Sequence, residues 1–437
     1  LKMLEQPISP SPFQADNVTH PTVEKKVIVA AVIGTTLEWY DLFAYLYFSV
    51  TISKLFFPHA DPLVSLLATV GTFGGSYLVK PLGALVLSSY ADRVSAKAAL
   101  TLTVTLMGVG TAMIAFTPTY ACMGVAATAV MVAARLIQGF SSGGEYGSGI
   151  SFIVQRAPIN SRGFYASFQV AAQGLTSIFA GLTGVLVSTT LTTEQVSDWG
   201  WRVPFLIGLV IIPVAVYIRR NISEVDDNTI ASRHATPVRE AIFGYPLLCV
   251  LSIGTFVLVS VSSYALAYYL PTYAVRTLGL SQTSAFGATI LTGCVQAACA
   301  PLFGGLSDRL GRLRVMRTAA ILMAVVVIPA FHFVVSNPGI ASLLVSQCVL
   351  GVIMTAYQAP MPALLCDLFP PAVRTVGISV AHDFTAATFG GFTPFLITLL
   401  IAATGSKIVP GLYVGSAAAL SAVCITLVTR HARALSR

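Results

Sequence analysis

The sequence predicts an all-α membrane protein with twelve transmembrane helices arranged as two six-helix halves. Three observations predict it. Hydrophobic residues make up 55% of the 437 positions and charged residues only 10%, whereas a soluble domain carries roughly 25% charged residues. Twelve apolar segments of roughly 20 residues or more follow one another, each long enough to span a bilayer. Finally, the stretch Ser88–Lys97, which contains Asp92-Arg93, returns 216 residues later as Gly304–Leu313, which contains Asp308-Arg309. That distance is about half the chain, and a membrane protein built of two parallel halves has a transporter architecture.

The charge balance gives the orientation. The chain carries 25 Lys and Arg against 17 Asp and Glu, a net charge of +8. With the N-terminus placed in the cytoplasm, only Lys54, Arg202, Arg276 and Lys407 fall in outside loops, and Lys80 and Arg135 fall inside helices. The other nineteen lie on the cytoplasmic side, the arrangement that the positive-inside rule favours. The excess charge is therefore a topology signal, and nucleic acid is excluded as its partner. None of the seven cysteines forms a C-x-x-C pair. They read as small buried hydrophobes, with no metal site implied.

The elements follow in order. Residues 1–24 are polar and Pro-rich and read as a disordered cytoplasmic tail. The first half spans 25–220, with segments near 27–50, 64–90, 98–117, 121–147, 163–190 and 201–220. A polar cytoplasmic linker, 221–243, follows. The second half spans 244–437, with segments near 244–273, 283–306, 315–335, 339–366, 375–402 and 408–430. No loop is large enough to hold an extramembrane catalytic domain, so the chemistry lies within the bilayer.

Embedded charge is costly, about 3 kcal/mol per residue on insertion scales, so each such residue needs a partner or a purpose. In the first segment Glu38 and Asp41 are three apart and share a helical face. Two carboxylates this close in a low dielectric do not both ionise easily, which suits a proton carrier. The alternative is that they are structural partners of Lys80 and Arg135. Lys80 lies 12 residues before Asp92, ~18 Å along a helix, and so near mid-membrane. Arg135 lies near the middle of the fourth segment. Two embedded cations facing one cavity make an anion site, with Arg able to grip a carboxylate bidentately. The plainer reading of Arg135 is a tie between helices 1 and 4. Glu145, ten residues after Arg135 in a Gly-rich setting, reads as a gating or structural residue.

Gln169 and Gln173 share a face of the fifth segment and are candidate substrate ligands. In the seventh, Tyr264 and Tyr268 are the candidate cavity residues, while an interfacial aromatic belt accounts for Tyr269 and Tyr273. Gln296, Tyr357 and Gln358 are weaker candidates of the same type. The eleventh segment holds His382-Asp383, which the first half does not mirror. A proton shuttle and a structural hydrogen-bonded pair are equally open readings. Asp92, Arg93, Asp308 and Arg309, repeated at the half-length period at helix ends, read as a charge latch that gates the two halves.

The run G-x-x-x-D-R-x-G-R at Gly304–Arg312 resembles the loop between helices 2 and 3 of the major facilitator superfamily, repeated between helices 8 and 9. Leu37–Asp41, Lys80–Ala84, Arg135–Gly139, Gly143–Gly147, Arg162–Gln169 and Trp199–Phe205 are similar to motifs of that superfamily's metabolite:proton symporter family. Val373–Gly377, Phe389–Pro394 and Thr404–Lys407 look most like its citrate/tricarballylate branch. The resemblance implies the major facilitator fold and proton-coupled symport of an organic acid anion by alternating access, in the bacterial inner (plasma) membrane. It implies Lys80 and Arg135 as substrate cations and Glu38 and Asp41 as proton-linked carboxylates. The proton gradient is the energy source, with no cofactor and no enzymatic activity expected. The expected partners are a small organic acid anion, protons and the lipid bilayer, and a monomer is expected. Lys80 stands where the family usually has Arg, Gln155 where an acid is common, and His382-Asp383 is unusual.

Voltage supports the coupling. One charge crossing 100 mV involves ~2.3 kcal/mol, so a trianion entering a negative-inside cell faces roughly 7 kcal/mol. Two rivals use the same fold: a symporter of zwitterionic or neutral metabolites, and an exporter of a carboxylate product. An intramembrane enzyme finds no support, because no H-E-x-x-H motif is present.

Overall fold

The computed structural model describes residues 25–94, 96–143, 146, 150, 153–154, 157–210, 213, 240–370 and 373–435. The expected tail, most of the expected linker and Glu145 lie outside them. So do the side chains of Glu38, Asp92 and Arg93.

The described residues form twelve successive helical passes. In the first half these are α1 (Lys25–Tyr47 and Ser49–Phe56), α2 (Pro62–Leu78 and Lys80–Arg93), α3 (Ala96–Phe116), α4 (Val125–Ser141), α5 (Arg162–Ala166 and Phe168–Thr190) and α6 (Gly200–Val210). In the second they are α7 (Pro246–Ser262, Ser263–Tyr268 and Leu270–Arg276), α8 (Gln282–Leu310) and α9 (Arg312–Ser336). They end with α10 (Ile340–Gln358 and Met361–Leu368), α11 (Arg374–Thr385, Ala386–Gly390 and Thr393–Thr404) and α12 (Val409–Leu435). Eight of these passes are long and apolar enough to cross a membrane, while α3, α4 and α6 contribute shorter apolar helices.

Several of these passes are interrupted. Proline explains the main breaks, because it lacks the N–H that would bond the carbonyl four residues earlier. In α2, Pro81 opens the second piece and the break at Val79 sets Lys80 at the junction. In α7, Pro271 leaves the Ala267 carbonyl without its helical donor, and the Tyr47 hydroxyl from α1 donates to it at 3.3 Å. Just before, Ser263–Tyr268 is a π turn, closed by Tyr269 N–H donating to the Tyr264 carbonyl at 2.9 Å. A second π turn, Ala386–Gly390, precedes Pro394 in α11. Such turns often mark functional sites.

Among the described residues, three of the helix pairs that join the halves show how closely they pack. Helices α5 and α8 run antiparallel with reciprocal glycines. A Cβ at Gly174 would lie 2.7 Å from the Gly293 carbonyl oxygen, and one at Gly293 2.6 Å from that of Gly174. Gly163 and Gly304 repeat the arrangement three turns away. Helix α2 meets α11 where Tyr77 packs on Gly391 and Phe392 on Gly74. Helix α1 meets α7 through Ser49 Oγ and Thr272 Oγ1 at 2.8 Å.

Candidate functional site

Two buried cations organise the interior. Arg135 on α4 is fully buried. Its Nη1 donates to Gln138 Oε1 at 2.7 Å and its Nη2 to Ser76 Oγ at 3.5 Å. The guanidinium lies over the rings of Tyr45 (4.5 Å) and Phe73 (4.9 Å). Its Nε has no hydrogen-bond partner. None of the ion pairs among the described residues involves Arg135. A buried charge held only by neutral groups costs several kcal/mol, which an arriving anion would offset.

Gln138 continues the network. One turn after Arg135, its Nε2 donates to Thr111 Oγ1 at 3.0 Å, and that hydroxyl donates to Asp41 Oδ2 at 2.7 Å. A polar relay thus joins Asp41 on α1, Thr111 on α3 and the Gln138–Arg135 pair on α4. Asp41 is 3% exposed. Its Oδ1 has no hydrogen-bond partner and lies against Gly208 of α6, where an added methyl would overlap it. This carboxylate therefore faces the inside of the first half, two neutral side chains away from Arg135.

Lys80 belongs to a second cluster. Phe73, Tyr77 and Lys80 are spaced four and three apart and line one face of α2. Lys80 Nζ is 3.9 Å from Asp383 Oδ1 of α11, an ion pair across the two halves. It also lies 5.1 Å from the Tyr77 ring and 5.8 Å from that of Trp39. Asp383 Oδ1 is 2.8 Å from His382 Nδ1. The imidazole stacks on Tyr146 with centroids 3.8 Å apart and meets Phe256 and Trp39 edge-on. The first half has no equivalent of His382-Asp383 in the sequence, but it supplies the ion-pair partner of Asp383, Lys80.

An aromatic group separates the clusters. The Tyr264 hydroxyl donates to that of Tyr77 at 2.7 Å. Tyr268 stacks on Phe43 with centroids 3.4 Å apart, and its hydroxyl is buried without a hydrogen-bond partner. Both candidate tyrosines of α7 therefore face the first half. The other two are buried as well. Tyr269 bonds Thr398, and Tyr273 donates to the Lys407 carbonyl at 2.7 Å. An aromatic belt does not describe them.

Gln169 and Gln173 are buried on α5. Gln169 Oε1 accepts from Thr35 at 3.4 Å, and no described contact joins either glutamine to Arg135 or Lys80. At the far end of α8, Asp308 accepts the N–H groups of Gly163 (2.8 Å) and Phe164 (2.9 Å), capping the first turn of α5. Its cation is Arg312, at 3.2 Å, which also pairs with Asp367. Arg309, the neighbour singled out from the repeat, is exposed. Helical spacing carried the signal for Gln138, three residues from Arg135 on α4, whereas Arg312 reaches Asp308 across the turn at Gly311 between α8 and α9. Thr111 and Gly208 had no comparable mark in the sequence.

Comparison with known proteins gives three findings. A family model described as Major Facilitator Superfamily matches residues 29–299 and again 288–436. Among curated proteins, the chain is 33% identical to a citrate-proton symporter of Salmonella typhi, over 90% of this chain and 91% of that one. It is 31% identical to an ectoine/proline transporter of Corynebacterium glutamicum, over 95% and 86%. Among solved structures, a D-xylose-proton symporter superposes with a TM-score of 0.71 at 17% identity, covering 91% of this chain and 96% of that one.

Proposed function

Because the chain belongs to the major facilitator superfamily, whose members are membrane transporters rather than enzymes, we propose that it carries a small organic acid anion together with protons by alternating access. The observation that carries this reading is Arg135, a fully buried guanidinium whose described partners are all neutral. A substrate carboxylate supplies the missing counter-charge, and the planar fork suits it. Lys80 supplies a second positive point. Asp383 pairs with it across the halves, so an arriving carboxylate competes with Asp383, and His382 stands beside the displaced group to exchange a proton with it. Asp41, joined to Arg135 through Thr111 and Gln138, is the second proton-linked group. A di- or tricarboxylate such as citrate fits two cations, and the citrate-proton symporter relative supports it.

The experiment is uptake into proteoliposomes of purified protein. Labelled citrate is expected to accumulate under an imposed pH gradient, and a protonophore should abolish the accumulation. Unlabelled tricarboxylates should compete while proline does not. A second reading, a zwitterion symporter, draws support from the ectoine/proline relative and from the ring faces around Lys80, which also suit an organic ammonium. Accumulation of proline without that of carboxylates would replace the first reading with the second.

The reading includes an orientation in a bacterial plasma membrane, with both termini and the linker cytoplasmic. Nineteen cations on one side support it. A single cysteine at Ile230, in a chain freed of its native cysteines, should react with an impermeant maleimide only after right-side-out vesicles are permeabilised. Labelling of intact vesicles would invert the orientation.

A further inference from the structure

Lys80 plus the repeat distance of 216 is Gln296, so the second half carries a neutral amide on α8 where the first carries a cation on α2. Gln296 is 1% exposed. Its Nε2 donates to Gln358 Oε1 at 2.9 Å. Gln358 in turn donates from Nε2 to Ser263 Oγ at 2.9 Å, with Ser262 Oγ and the Val259 carbonyl more distant. These acceptors fix the Gln358 amide, which fixes that of Gln296. The consequence is a held acceptor, Gln296 Oε1, buried without a hydrogen-bond partner. Leaving such an atom unmatched in an interior costs about 1–3 kcal/mol.

A second unmatched group lies on the element that α8 packs against. The π turn of α7 contacts α8, and it carries Tyr268, whose buried hydroxyl also lacks a partner. The same turn connects directly to the cation region, because Tyr264 bonds Tyr77, which lies against Lys80. One fixed acceptor and one hydroxyl able to donate are the complement of an alcohol, which must both donate and accept. A carboxylate, which only accepts, cannot satisfy Gln296 Oε1.

We propose that Gln296 and Tyr268 form a subsite in the second half for a hydroxyl group on the substrate, while Arg135 and Lys80 take its carboxylates. This rests on the organic-anion reading above and narrows it to hydroxylated acids. Gln296 Oε1 accepts the hydroxyl proton, and the Tyr268 hydroxyl donates to its oxygen. Gln358, Ser262 and Ser263 hold the amide in place and act as positioning residues.

The test compares citrate with its deoxy analogue tricarballylate, which keeps the three carboxylates and lacks the hydroxyl. Binding of both to the purified full-length protein is measured by calorimetry for wild type, Gln296→Leu and Tyr268→Phe. A site built to bond a hydroxyl discriminates strongly against the analogue without it, so wild type should prefer citrate by about tenfold or more. Each variant should bring the two acids close to parity, by weakening citrate while leaving tricarballylate nearly unchanged. Tyr268→Phe keeps the ring stacked on Phe43, so it tests the subsite even if Gln296→Leu folds poorly. Equal affinities in wild type, or an undiminished preference in Tyr268→Phe, would overturn the subsite and leave the organic-anion reading intact. If neither acid binds wild type, the organic-anion reading itself falls, and the subsite with it.

Discussion

Arg135→Ala is expected to lower the affinity for a carboxylate substrate by about 100-fold or more, the scale of truncating one partner of a buried, hydrogen-bonded charge pair. Arg135→Lys should recover little. The guanidinium packs over the Tyr45 and Phe73 rings while its Nη groups reach Gln138 and Ser76, and an ammonium cannot match that geometry. Lys80 differs. Its described contacts are one ion pair at 3.9 Å and two ring faces, which a point charge and a guanidinium both satisfy. Lys80→Ala should therefore weaken binding severely, while Lys80→Arg retains part of it. Calorimetric titration of each folded variant with citrate is the measurement. Unchanged affinity in both alanine variants would remove the two-cation site.

Neutralising Asp41 should have a different signature. Asp41→Asn is expected to block accumulation of substrate under a pH gradient, leaving internal and external concentrations equal. Counterflow exchange without a gradient should persist, because exchange requires no net proton movement. Gly208→Ala provides a second route to the same result with the carboxylate still present. The added methyl would overlap Oδ1 and push the carboxylate off the Thr111 hydroxyl, breaking the relay at its first bond. Accumulation should fall in this variant while citrate binding at Arg135 survives. Normal accumulation in Asp41→Asn and also in Glu38→Gln would move proton coupling to His382-Asp383.

The sequence made the number of passes and the embedded charges readable, because bilayer length and the cost of buried charge act on single residues and their neighbours. Lys80, Arg135 and Asp41 were visible simply as charges in apolar helices. Their grouping was not. Nothing local connects Lys80 with Asp383, 303 residues later, because that contact depends on how α2 and α11 come together. The same holds for Thr111, an ordinary hydroxyl in an apolar helix until Asp41 and Gln138 arrive on either side. Repetition pointed to Asp308 and adjacency to Arg309, but the chain turns at Gly311, and it is Arg312, at the start of α9, that pairs with Asp308. Breaks at Pro81 and Pro271 were readable in kind, but not that a tyrosine from the other half would take up the carbonyl freed in α7.

The reciprocal glycines of α5 and α8 limit how the molecule can move. Backbone lies against backbone at Gly174–Gly293 and again at Gly163–Gly304, three turns or ~16 Å apart. Sliding one helix past the other by a single turn, ~5.4 Å, would bring side chains with a Cβ into gaps that admit only hydrogen. Translation along this seam is therefore blocked, and separation would expose polar backbone to hydrocarbon. Rotation about the line of contact is what remains. The seam acts as an axle: side chains far from it travel furthest for a given angle, while those beside it hardly move.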